Sequence, residues 1–172
     1  MTTPLMLTVL ISALAPSLAA TPCDDPAADP WVVGMRDRVL SGNALHVFAQ
    51  AQFGDAIGCD GQVTDEFEGS KYGVLTLRYD GADLTVETMP FTVMIVTLTA
   101  DRGFPSEEAA VEALRAYTSG QGLDVDYETP EISTIDGAVQ HQYWDPEPGL
   151  NASATIVRRG GRVEAIRFSI AS

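Results

Sequence analysis

The stretch Tyr72–Leu98, YGVLTLRYDGADLTVETMPFTVMIVTL, decides the fold. Tyr72–Arg78 and Leu84–Thr88 are short β-favouring runs in which apolar and polar residues alternate, the period of two that turns successive side chains to opposite faces of a strand. Asp80-Gly81 between them supplies the left-handed backbone of a tight reversal, which predicts a hairpin. Pro90 lacks the amide that a central strand needs and divides Leu84–Thr88 from Phe91–Leu98. In that last run Val93, Met94, Ile95 and Val96 are apolar on both alternating faces. Such a strand is expected centrally, one face against a helix and the other against a second layer or a partner.

On the amino-terminal side of this region, Asp29 can accept the first free amides of a helix, and Pro30 suits its first position. Trp31, Met35 and Val39 recur every four residues as a buried stripe, with Gly42-Asn43 as the stop. ALHVFAQAQF, residues 44–53, reads as a short second helix, with a strand as the alternative. On the carboxyl-terminal side, Ser106 is the cap of a helix over Glu107–Thr118, Glu107 and Glu108 suit its positive end, and Gly120 terminates it. Ala110, Ala113, Leu114 and Tyr117 form one stripe, wide enough to cover a sheet. Val139–Trp144, Ala152–Arg158 and Val163–Ile170 then read as strands, parted by Pro146, Pro148 and Gly149 and by Gly160-Gly161. The order is helix, three strands, helix, three or four strands. Helices segregated from consecutive strands predict an α+β fold, a mostly antiparallel sheet with helices packed against it. Both halves begin with a helix and continue in strands, although the strand letters repeat at no fixed offset.

Upstream of all this, residues 4–20, PLMLTVLISALAPSLAA, carry no charge and end in small residues, the shape of a secretory signal peptide cleaved after Ala19 or Ala20. The run is short for a permanent anchor, which needs roughly 20 apolar residues. Its first residues, MTT, lack the usual Lys or Arg. Pro22 rather than a small residue precedes Cys23, which argues against a lipoprotein. The expected organisation is a leader over residues 1–20 and one soluble α+β domain over 21–172, placed in the periplasm or secreted, with no stable membrane insertion once the leader is gone. Cys23 and Cys59, the only cysteines, are expected to pair in that oxidising compartment. Their loop of about 37 residues makes the bridge worth about 4 kcal/mol. Their spacing matches no familiar zinc site, and no metal or other cofactor is expected.

With 24 acidic against 10 basic side chains, the formal charge is −14. Nucleic acid is a poor partner for such a surface. Disorder is equally disfavoured, because 45% of the residues are apolar.

The segment HQYWDPEPGLN, from His141, is the strongest candidate surface. His141, Tyr143 and Asp145 share one strand face and Trp144 takes the other. His141 and Asp145 are about 13 Å apart along an extended strand, too far for a catalytic dyad. The competing reading places Trp144 in the core beside a plain turn. Binding candidates are therefore His141, Tyr143, Trp144, Asp145 and Glu147, with prolines stiffening the acidic loop. His46, between Leu45 and Val47, is expected to be a packed, hydrogen-bonded histidine. Ser119 and Ser153 lack the GxSxG elbow of a hydrolase nucleophile. Asp124, Asp126 and Glu128 alternate as on a strand face but lack an EF-hand loop, and Asp24, Asp25 and Asp29 form an acidic lead-in. Arg158, Arg159 and Arg162 flank the final turn as edge charges. Asn151-Ala152-Ser153 matches a glycosylation acceptor. No complete catalytic constellation emerges. The leading expectation is a non-enzymatic extracytoplasmic binding or protein-interaction domain with an unknown protein or small-molecule partner. The alternatives are a small extracytoplasmic hydrolase and a structural envelope module, and a homo-oligomer is left open.

Overall fold

The computed structural model describes residues 20–147, 149 and 151–171. The expected leader lies outside the described residues apart from Ala20. The order is β1 (Thr21–Pro22), α1 (Pro30–Leu40), α2 (Ala44–Phe53), β2 (Gly58–Phe67), β3 (Ser70–Tyr79), β4 (Ala82–Met89) and β5 (Val93–Ala100). There follow α3 (Glu107–Gly120), β6 (Glu131–Ile135), β7 (Ala138–Trp144), β8 (Asn151–Arg159) and β9 (Arg162–Ala171).

The helices start where local chemistry satisfies their free amides. Asp29 accepts from the Trp31 amide at 2.8 Å, and Ser106 accepts from the Ala109 amide at 3.2 Å. Asn43 does more than end the first helix. Its side chain accepts from the amides of Leu45 and His46 at 2.9 and 3.2 Å and so opens α2. Residues 44–53 are thus a helix and not the alternative strand.

The nine strands form one antiparallel sheet in the order β1-β2-β3-β4-β5-β9-β8-β7-β6. The fold is α+β, with helices packed on a wholly antiparallel sheet. Apart from β1, which pairs along β2 at one edge, the sheet consists of two meanders, β2–β5 and β6–β9, whose final strands meet as β5 and β9 in the middle. Each meander follows a helical segment, so the echo between the halves is one of topology. The first group holds four long strands where three are evident from the sequence. The turn between β4 and β5 also runs further than expected. Phe91 and Thr92 adopt positive φ, 65° and 57°, so Phe91 belongs to the reversal and the strand begins at Val93.

Cross-strand register explains the core. Leu75, Val86, Val96, Phe168, Ala154 and Tyr143 form one row on the helix side, and Leu77, Leu84, Leu98, Ile166, Ile156 and His141 form the next. All but His141 are buried. Each fully buried side chain of this size contributes about 1.5–3 kcal/mol. On this side α1 packs on β2 and β3, α2 on β3 and β4, and α3 on β8 and β9. Close approach of α1 depends on missing side chains: a Cβ on Gly73 would lie 2.1 Å from the Gln62 carbonyl oxygen and 2.9 Å from the Trp31 ring.

β5 is central, as its two-sided apolar pattern predicts, but its second face has no second layer among the described residues. Val96 is fully buried beneath the helices, whereas Ile95, on the opposite face, is only half-buried. Cys23 and Cys59 form the expected disulfide, with Cα atoms 5.4 Å apart. The Cys23 amide also donates to the Cys59 carbonyl at 3.0 Å, fastening the lead-in to β2.

Candidate functional site

β7 divides the 141–147 segment between two environments. Tyr143, 8% exposed, lies under the chain that follows α3, its ring 5.1 Å from that of Tyr127. The Arg115 guanidinium stands 5.0 Å from the Tyr127 ring centre and closes the stack from above. Asp145 is buried too, and both of its carboxylate oxygens are occupied. Oδ2 accepts from the Asp124 amide at 2.9 Å, and Oδ1 accepts from the Glu147 amide at 2.8 Å. With the Asp126 amide donating to the Trp144 carbonyl at 3.0 Å, this clasps the α3–β6 connection to the end of β7. Asp145 therefore fixes backbone. Glu147 is exposed, and Pro148 and Leu150 lie outside the described residues.

His141 is half-buried on the helix side. Burial and the nearby Arg158 guanidinium hold its pKa below the ordinary histidine value, and Glu107 partly opposes them. Arg158 itself pairs with Glu107, and Arg159 with Glu164 at 3.1 Å. His141, Tyr143 and Asp145 share a face as the period of two requires. Their surroundings differ too much for one catalytic unit.

Trp144 points the other way. It is 39% exposed on the face that carries no helix, which corrects the reading of Trp144 as a core residue. Register places it in a cross-strand row with Ser153, Ser169, Ile95, Glu87 and Val74. The Ser153 and Ser169 hydroxyl oxygens are 2.8 Å apart, and the Gln142 side-chain amide donates to Ser153 at 3.0 Å. Ser153 is thus engaged with neighbours on the sheet and has no histidine as a hydrogen-bond partner. The adjoining row, Thr76, Thr85, Thr97, Arg167, Thr155 and Gln142, is polar throughout. The result is a broad sheet face of hydroxyl and β-branched side chains carrying Ile95 and Trp144.

The remaining candidates fall into structural roles. His46 is buried, its Nδ1 2.7 Å from the Tyr79 hydroxyl, and burial lowers its pKa. Burial likewise raises Tyr79 to about 12. Asp124, Asp126 and Glu128 do not share a strand face, because residues 123–127 form no regular element. The Asp126 carboxylate instead accepts from the Glu128 amide at 2.8 Å and from the Thr129 hydroxyl, which holds its pKa down. In the lead-in, Asp25 accepts from the Ala27 amide at 2.7 Å. Asp29 pairs with Lys71 at 2.5 Å, and that bond is the main cause of its lowered pKa.

Among the described residues no group of three or more His, Cys, Asp or Glu could hold a metal ion, and no helix is long and apolar enough to cross a membrane. No family model matches the sequence, and no curated protein or solved structure matches it either.

Proposed function

We propose that the chain is exported by its leader, residues 1–20, and acts in the periplasm or outside the cell as a non-enzymatic binding domain. It docks a protein partner on the helix-free face of its sheet. The observation that carries this reading is the row in which half-buried Ile95, from the central strand, and exposed Trp144 stand on one uncovered face. Tryptophan offers large contact area at low ordering cost and is enriched among the residues that dominate interfaces. Beside that row, half-buried Thr76, Thr85 and Thr97 offer hydroxyl groups that can bond to a partner, whereas Ser153 and Thr155 are buried. The disulfide is compatible with an oxidising compartment.

The test is photo-crosslinking in the producing cell, with the reactive side chain placed in turn at Ile95, at Trp144 and at Val47, which is exposed on α2. One discrete partner captured from positions 95 and 144 and missed from 47 is the expected result. Capture from position 47 alone would refute the assignment of the face.

A further inference from the structure

The helices do not close over the upper ends of β4 and β5. Between the α1–α2 turn and the carboxyl-terminal end of α3 there remains a crevice of about 450 Å³. Buried Val39, Val86, Val96 and Tyr117 line it, together with half-buried Met35 and Met94. Methionine side chains adapt to irregular apolar shapes. Arg38, Asn43 and Gln121 supply polar groups.

Charge distinguishes this crevice. No Asp or Glu lines it, although the chain has 24 of them. Four other crevices among the described residues each include at least two carboxylates. The ionic group here is Arg38, which makes no ion pair among the described residues. We infer that the crevice binds a small amphipathic carboxylate, its anionic head at Arg38 and its alkyl chain against Met35 and Met94, with the buried valines behind them. The net charge of −14 repels anions at long range, but salt screens that repulsion beyond roughly 10 Å, whereas the head group sits beside Arg38. The site lies on the helix side of the sheet and is independent of protein docking on the opposite face.

The test uses the purified protein with its Cys23–Cys59 disulfide intact. Octanoate, decanoate, dodecanoate and decan-1-ol are titrated by calorimetry and by methyl NMR. Saturable one-to-one binding is expected, tightening roughly tenfold for each two methylenes until the crevice is full. Methyl shifts should centre on Met35, Val39, Met94 and Val96. Arg38→Ala should weaken decanoate several-fold and leave decan-1-ol unchanged, and Met94→Trp should remove both. The wild-type methyl map keeps the test decisive if M94W fails to fold. Absence of saturation up to millimolar decanoate, methyl shifts elsewhere, or equal losses of decanoate and decan-1-ol in R38A would each overturn the inference.

Discussion

Ile95 and Val96 are neighbours in β5 with opposite surroundings, and replacing each by aspartate measures that difference. Val96 is fully buried between Val86 and Phe168. An aspartate there forfeits about 2 kcal/mol of apolar burial and places an unpaired carboxyl among aliphatic side chains, for a total loss above about 4 kcal/mol. Ile95 is half-buried between Glu87 and Ser169. Its replacement gives up about half of a full side-chain burial, about 1.5 kcal/mol, and sets a like charge opposite Glu87, adding up to about 1 kcal/mol. The expected cost of I95D is therefore about 2 kcal/mol. Urea denaturation followed by tryptophan fluorescence separates the two, because a lower midpoint at unchanged slope reports stability alone. I95D should remain folded at low denaturant and lose partner crosslinking at Trp144. An I95D loss as large as that of V96D would refute the uncovered face, since it would require apolar packing on both sides of β5.

Removing the disulfide with a Cys23→Ser, Cys59→Ser pair opens a loop whose ends are 36 positions apart. That should cost about 4 kcal/mol, and at about 2–4 °C per kcal/mol calorimetry should show melting lower by about 8–16 °C. A drop below about 3 °C would contradict the loop-entropy argument. Gly73→Ala should lose about 3 kcal/mol because its Cβ meets the Gln62 carbonyl, whereas Gly34→Ala, with open space around it inside α1, should gain up to about 1 kcal/mol in the same denaturation assay. His46 titrates below its ordinary value of 6.5 in the fold, so the unfolded chain takes up its proton first as pH falls. Its contribution is complete above pH 6.5 and declines as pH falls from there through the folded pKa. His46→Gln should flatten that part of the stability profile, and an unchanged slope would show that His46 is not its source.

Much of the fold was legible because its signals are local. Asp29-Pro30, Ser106 and Asp80-Gly81 act within a few residues, and the stripes at Val39 and Leu114 need only helical periodicity. β2 escaped the sequence because GCDGQVTDEF lacks alternating apolar residues. Its Gly61 faces α1, where a Cβ would come within 2.9 Å of Val32, so the missing side chain is itself the packing signal. A glycine that permits close approach looks the same in sequence as one that breaks a strand. The site was legible only in part. The period of two separated Trp144 from Tyr143 correctly, but which of them faced the helices depended on register with β8. The role of Asp145 depended on the amide of Asp124, 21 positions away, which no local pattern encodes.

β9 follows every other strand of the sheet in the chain yet lies at its centre, between β5 and β8. Until it arrives, β5 offers an unpaired edge rich in Val, Ile and Leu, and the two meanders have nothing to join them. Closure joins partners as distant as Met94 and Ile170, a long-range step that is slow on topological grounds. An open apolar edge of this kind recruits other chains as readily as its own. Synthesis order thus runs against spatial order: the middle of the sheet is completed last, and a delay in delivering β9 lengthens the interval in which β5 can pair with the wrong molecule.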